Sequence, residues 1–409
     1  ISKYLVEKWA ELLEKSDEKS IYTVDDYVEL FKCEYGIDTN AEKALNELIA
    51  QGKSLDFAKS VIKRCKEGKY KVFEKDYYDK LMSLTNLDKY GDVIKVCMVN
   101  GELDETLWQK VVELDKLGFD SSDIASLFEL CRKNPEKGKE RELVDFREDT
   151  YNKILDLVNN HGFSTKSENV YRILNHCEEN GVIDENAYKI AVELKSHIDE
   201  NIINYNISRI KSSENKEVAY KHIDELINKY GADSRDAMFL WGVACCEKTF
   251  SNKNETLKFN ETRYNKITEL ISKHNIAPHD AGDIINSFTV NGELDMKLYD
   301  KFVEYKEYGM ADCYNEPSHL ADFLEHCIKY VYDEKGERVE DANGEYLKTV
   351  DYNMLDKIKD WKEPDDFDYH EYLTEDGLDC DEIIADFEIA VKIMEDLKLT
   401  EEINKALEK

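Results

Sequence analysis

The chain has 409 residues, 42% of them hydrophobic with 25 Tyr and 15 Phe, which is enough apolar material for a large core and too much for a disordered polymer. Its 89 acidic residues outweigh 56 basic ones for a net charge of −33, so nucleic acid is a poor default partner and basic partners are favoured. No run of about 18 apolar residues offers a membrane span, and only 4 Pro and 17 Gly interrupt the chain, so an all-α protein is expected rather than a sheet protein.

In chain order, an incomplete unit containing Trp9 and Cys33 comes first. Two kinds of helix then alternate. The first, helix A, has apolar residues at i, i+3, i+4 and i+7 with cysteine last: Ala58, Val61, Ile62, Cys65. The second, helix B, opens on an aromatic residue with apolar residues three and six positions later: Tyr78, Leu81, Leu84. Cys97 closes the next helix A with weaker neighbours, and the hexapeptide "VNGELD" at 99–104 leads to Trp108, Val111 and Leu114. Ile124, Leu127, Phe128 and Cys131 follow, then an insertion near 135–147, then Tyr151, Ile154 and Leu157.

Val170, Ile173, Leu174 and Cys177 lead through "NGVID" to Tyr188, Ala191 and Leu194. A unit without cysteine around "NYNISRIKSSEN" precedes Tyr220, Ile223 and Leu226. The apolar stretch "AMFLWGVACC" carries Cys245, an insertion covers 248–260, and Tyr264, Ile267 and Leu270 come next. Phe288, behind Ile284 and Ile285, takes the cysteine's place before a second "VNGELD" at 290–295 and Tyr299, Phe302, Tyr305. Leu320, Phe323, Leu324 and Cys327 form the last helix A, and Tyr352, Leu355 and Ile358 the helix B after it. Seven of the ten cysteines thus share one expected position, Cys33 loosely.

The interval between successive aromatics is 30 residues from Tyr78 to Trp108 and 53 from Tyr299 to Tyr352, so the longer intervals mark insertions into helical hairpins. The expected architecture is an αα-hairpin repeat solenoid of about nine to ten helical pairs: an array over 1–330, an insertion at 331–350 forming a small β-hairpin, and a last repeat, acidic loop and C-terminal capping helix over 351–409.

Asp104, Asp184 and Asp295 each stand four residues before a helix B aromatic, which predicts an N-cap whose carboxylate accepts a first-turn amide hydrogen. The apolar residue before each cap, Leu103, Ile183 or Leu294, is placed to staple onto Trp108, Tyr188 or Tyr299. Asn100-Gly101, Asn180-Gly181 and Asn291-Gly292 are expected to end helix A with glycine in the left-handed region. The flanking helical periods speak against a two-stranded Asn-Gly turn.

Candidate chemistry is thin. His176 with Cys177, or His326 with Cys327, would pair base and nucleophile, but neighbours on a helix point about 100° apart, and free cysteine commonly packs as a small hydrophobe. Cys245 and Cys246 form a vicinal pair in an apolar helix, where burial leaves thiols inert. Asp365, Asp366, Asp368, His370 and Glu371 lack the EF-hand frame and read as a solvated loop. The helix B aromatics could be imagined as base-stacking platforms, yet their register with apolar residues marks them as core. No catalytic, cofactor-binding or metal-ligating residue is assigned, and no cofactor is implied.

Units such as "CEENGVIDENAYKIAVELKSHI" and "TYNKILDLV" resemble the helical hairpins of the tetratricopeptide and pentatricopeptide superfamilies. The resemblance implies an αα-superhelix that binds partners along a concave face. Pentatricopeptide arrays are basic and bind RNA; this chain is acidic, and that activity is not carried over. The leading expectation is a non-enzymatic, cytoplasmic protein-protein interaction scaffold for a protein or peptide, basic in character, with its cysteines reduced. A regulatory or recognition arm of a larger enzyme complex, suggested by a chain opening on Ile1 rather than Met, is the alternative, and a degenerate RNA-binding helical repeat is a second.

Overall fold

The computed structural model describes residues 30–355, apart from 34–35, 67–71, 137, 140–141, 167, 246–255, 308–316, 326, 342–343 and 354. Trp9, Cys246, His326, Ile358, the acidic stretch at 365–371 and the capping helix expected near Asp381 lie outside the described residues. The chain divides into two compact units between Ser196 and His197.

The first unit holds helices α1 (Thr39–Ala50), α2 (Leu55–Arg64), α3 (Lys75–Met82), α4 (Val93–Val96), α5 (Glu105–Leu117), α6 (Ser121–Cys131), α7 (Glu148–Asn159), α8 (Asn169–Cys177) and α9 (Glu185–Leu194). Two-residue strands β1 (Lys32–Cys33) to β6 (Val182–Ile183) pair as antiparallel ladders, β1 with β2 (Gly36–Ile37), β3 (Met98–Val99) with β4 (Glu102–Leu103), and β5 (Glu178–Glu179) with β6. The even-numbered helices are of A type and the odd-numbered of B type. Helices α4, α6 and α8 pack side by side; α6 also packs against α5 and α7, and α8 against α7 and α9.

The second unit begins with a 3-10 turn (Glu200–Ile202) and contains α10 (Ile203–Ser212), α11 (Lys216–Asn228), α12 (Ser234–Ala244), α13 (Glu261–His274), α14 (Pro278–Ser287), α15 (Met296–Glu307) and α16 (Pro317–Glu325). Strands β7 (Thr289–Val290) and β8 (Glu293–Leu294) form one hairpin, and β9 (Ile328–Tyr330) pairs with β10 (Lys348–Val350) across the expected insertion. Here α12, α14 and α16 lie side by side. Gly282 on α14 faces the Phe239 ring so closely that even a methyl group would overlap it, which is how those two helices approach.

One joint links A to B in both units. The carbonyl that ends helix A accepts the backbone N–H of the helix B N-cap: Asp104 donates to Cys97 at 3.0 Å, Arg147 to Cys131 at 3.0 Å, Asp184 to Cys177 at 2.8 Å, Asp295 to Phe288 at 2.8 Å and Asp351 to Cys327 at 2.8 Å. Glu74 does the same to Cys65 at 2.9 Å. This bond ties the end of one helix to the start of the next, so two otherwise orphaned backbone groups satisfy each other. The register corrects two expectations. Asp38 donates to Phe31 at 2.7 Å and Asn260 to Ala244 at 3.0 Å, so Phe31 and Ala244 hold the position expected for Cys33 and Cys245.

The N-caps are where spacing placed them. Asp104 Oδ1 accepts the Leu107 amide at 2.9 Å, Asp184 Oδ1 that of Asn186 at 3.0 Å, and Asp295 Oδ1 that of Leu298 at 2.9 Å. Longer joints use an aromatic staple five residues before the helix B ring: Phe73 lies 5.6 Å from Tyr78, Phe146 5.7 Å from Tyr151 and Phe259 5.5 Å from Tyr264, centroid to centroid.

The Asn-Gly pairs require a further correction. Helix A ends at the cysteine position, and Asn-Gly then closes a two-stranded hairpin between the helices. Asn100 and Gly101 have φ of 51° and 83°, Asn180 and Gly181 53° and 83°, Asn291 and Gly292 50° and 87°. Left-handed conformation at both central residues is the signature of a type I′ turn.

Candidate interaction surface

The helix B aromatics are core residues, and their polar edges are interlocked from one pair to the next. Tyr151 Oη donates to Glu113 at 2.6 Å, Tyr188 Oη to Asp156 at 2.5 Å and, in the second unit, Tyr264 Oη to Glu225 at 3.0 Å. Each acceptor stands five residues after the aromatic of the preceding helix B. Trp108 has no hydroxyl, and Ser83 holds the corresponding position on the preceding helix B. Burial, and after it the accepting carboxylate, pushes all three phenols well above their ordinary pKa.

A lysine two residues after one aromatic covers the next ring: Lys80 lies 6.0 Å from Trp108, Lys110 4.3 Å from Tyr151, Lys153 4.1 Å from Tyr188 and Lys266 4.6 Å from Tyr299. In the first unit the same lysines pair with the acid opening the next helix B, Lys80 with Glu105 at 2.8 Å, Lys110 with Glu148 at 2.9 Å and Lys153 with Glu185 at 2.8 Å. His222 takes the lysine's place in the second unit, 4.3 Å from Tyr264 and stacked 4.4 Å from Phe259. Tyr352 departs from the expected core series: it is 39% exposed and donates its hydroxyl to the cap residue Asp295 at 2.6 Å.

The cysteines expected as small apolar fillers are buried at Cys65, Cys97, Cys131, Cys177 and Cys327. Burial pushes the thiols of Cys65, Cys131 and Cys327 up to about 12, and that of Cys97 up as well. His176 is on the exposed side of α8 while Cys177 is buried, so the two do not converge. Buried cations serve the joints instead. Arg132, just after Cys131, donates to the carbonyls of Val96 at 2.7 Å and Met98 at 3.0 Å, and Lys66, just after Cys65, donates to Leu30 at 2.8 Å and Lys32 at 3.3 Å.

The surface that stands out is the arm between β9 and β10. Val331, Val339 and Leu347, spaced by eight, close a ring of backbone bonds: Val331 N–H donates to Leu347 at 2.9 Å, Leu347 to Val339 at 2.8 Å and Val339 to Val331 at 2.9 Å. Asp333 and Asp341 hold the two intervening turns, accepting the amides of Glu337 at 2.9 Å and Glu345 at 3.0 Å. The residues just before the ring members, Tyr330, Arg338 and Tyr346, therefore come together. The Arg338 guanidinium lies 4.2 Å from the Tyr330 ring and 5.5 Å from Tyr346, and the two rings meet edge to face at 6.1 Å.

Among the described residues nine large apolar or aromatic side chains are exposed, and four of them, Tyr330, Tyr332, Tyr346 and Tyr352, are on or beside this arm. Such clustering, unlike scattered exposure, makes the arm a candidate interaction surface. The arm is docked on the neighbouring hairpin, since Asn291 donates its amide to the Lys348 carbonyl at 2.8 Å and accepts the Lys348 N–H at 2.9 Å.

Comparison of the chain with protein-family models, with curated proteins and with solved structures returned no match.

Proposed function

We propose that this chain is a non-enzymatic interaction scaffold, an αα-hairpin repeat of tetratricopeptide- or pentatricopeptide-like organisation that holds a basic protein or peptide partner in the cytoplasm. The observation carrying the reading is the gathering of four exposed tyrosines on or beside one arm, with Tyr330 and Tyr346 packed on Arg338, because Tyr and Arg are enriched among the few residues that dominate interface energies. Three features add support. Among the described residues, His176 and Cys177, which spacing nominated for chemistry, diverge; Lys80, Lys110 and Lys153 are engaged by carboxylates and rings; and a net charge of −33 attracts cations. The recurrence of one helix A to helix B joint supports the repeat organisation.

The test compares the wild-type chain with a Tyr330→Ala, Tyr346→Ala double variant in partner capture followed by crosslinking and mass spectrometry. Capture that weakens between about 50 and 300 mM salt, crosslinks on the arm, and loss in the double variant with an unchanged circular dichroism spectrum are expected. Capture indifferent to the arm, or no partner at any salt, would overturn the reading.

A further inference from the structure

The first unit contains a groove of about 720 Å³ between the successive B-type helices α7 and α9. Its floor is Gly181, Val182 and Ile183 at the tip and second strand of the β5–β6 hairpin, with Val182 68% exposed. Asn152 and Lys153 of α7 form one wall, and Glu148, Asp149 and Glu185 stand at the rim. The volume is within the range of about 300–1,000 Å³ typical of ligand sites.

The preceding interval shows what fits such a place. Between α5 and α7 the stapling residue is Phe146, whose ring lies 5.2 Å from Phe128 and 5.7 Å from Tyr151, with Lys110 5.7 Å above it. Between α7 and α9 the stapling position is held by Ile183, a shorter side chain delivered by a tight hairpin instead of a long insertion. Lys153 repeats the position of Lys110, but the space beside it remains open.

The electrostatics select the rest of the occupant. Arg147, at the edge of the groove, already donates to the carbonyls of Lys133 at 2.8 Å and Leu130 at 2.9 Å, and Lys153 is paired with Glu185 at 2.8 Å. Both cations are engaged internally, while Asp149 has no ion pair among the described residues and Glu148 is 59% exposed despite its contact with Lys110. A desolvated aromatic group in the groove would therefore be followed along its chain by cations rather than acids.

We propose that this groove binds an extended peptide segment that inserts one aromatic side chain between α7 and α9, as Phe146 does between α5 and α7, and meets Glu148, Asp149 and Glu185 with flanking lysines or arginines. It rests on the reading of the chain as an interaction scaffold and assigns that scaffold a second, chemically defined site.

The experiment titrates the full chain with a fluorescein-labelled decapeptide containing one Phe among Lys and Arg, alongside versions with Phe→Ala and with every Lys and Arg replaced by Gln. The first should bind, and each replacement should weaken binding about tenfold or more. Ile183→Phe fills the groove from within, and Asn152→Arg blocks it from an exposed wall position without touching the core; both should abolish the preference for Phe over Ala. Equal binding of the Phe and Ala peptides, or full binding by both variants, overturns the groove. If the wild-type chain binds none of these peptides but still captures a partner in a Tyr330- and Tyr346-dependent manner, the groove fails and the scaffold reading stands; loss of both signals removes both.

Discussion

Tyr151 on α7 donates its hydroxyl to Glu113 on α5 at 2.6 Å, joining two successive helix pairs through their side chains. The bond has a charged acceptor, which makes it stronger than a neutral one. Tyr151→Phe is expected to cost about 1 kcal/mol of stability, and Glu113→Gln about as much, with the double variant less destabilised than the sum. A urea-denaturation double-mutant cycle measures the coupling. Strict additivity would show that the pair contributes nothing.

The joint makes a second pair of expectations. Gly101 has φ of 83° and open space around it, so Gly101→Ala acts through the backbone alone and should cost roughly 1 kcal/mol. Asp104→Ala removes the cap on Leu107 and should also cost about 1 kcal/mol. Thermal unfolding of the two variants tests the I′ turn and the cap separately. A harmless Gly101→Ala would mean that the turn does not need its left-handed geometry.

The buried thiols make the third. Cys65, Cys97, Cys131, Cys177 and Cys327 end or flank helices at one buried position, and burial keeps the thiols of Cys65, Cys97, Cys131 and Cys327 protonated. In native protein treated with N-ethylmaleimide, peptide mapping should find these five unmodified while the half-buried Cys33 is modified. All five should react once the chain is unfolded. Labelling of Cys131 in the native state at the rate of Cys33 would contradict its burial.

These cases show which parts of the fold are legible in the sequence. Asp104 as a cap and Trp108 as a core residue are local matters, decided by bonds three or four residues long, and spacing alone identifies them. The Asn-Gly turn is not legible in the sequence, because a helix stop and a I′ turn both use left-handed Asn and Gly, and a two-residue strand is too short to display alternation. The interlock left a signal, a lysine two residues and an acid five residues after the aromatic, as in Tyr151, Lys153 and Asp156. It has meaning only once helices 30 to 40 residues apart are neighbours, as Lys153 and Tyr188 are. The arm's eight-residue spacing of Val331, Val339 and Leu347 was equally visible, but the ring that explains it is made of backbone bonds. Both candidate surfaces arise from that same long-range assembly, which is why composition and motifs did not locate them.

Gly91 provides a test of packing. A side chain there would run into the Ser121 carbonyl at the start of α6, and the Gly91 carbonyl accepts from the Arg64 guanidinium, which also donates to Asp88 at 2.6 Å. Backbone cannot retreat as a flexible side chain can, so Gly91→Ala should cost about 2 kcal/mol or more. Its effect on the urea midpoint should exceed that of Gly101→Ala, where nothing is crowded. The reverse ranking would place Gly91 away from α6.

Asp123, in the first turn of α6, supplies the pH prediction. Burial, with the carboxylates of Asp120, Glu168 and Asp88 adding to it, raises its pKa from 3.8 to about 6, while the Glu168 N–H works in the opposite direction. Folding therefore favours the protonated acid. Its contribution is intact below pH 3.8 and is lost as the pH climbs through 6, because the unfolded chain releases the proton more readily. Asp123→Asn keeps an oxygen to accept the Glu168 N–H and carries no charge. The variant should match the wild type near pH 3.5 and exceed it by about 1 kcal/mol at pH 7, allowing for solvent screening. Urea denaturation at the two pH values gives the difference directly. A gain of the same size at both would assign the effect to something other than the charge on Asp123, and a loss at pH 7 would mean that the ionised carboxylate stabilises α6 as a first-turn acid.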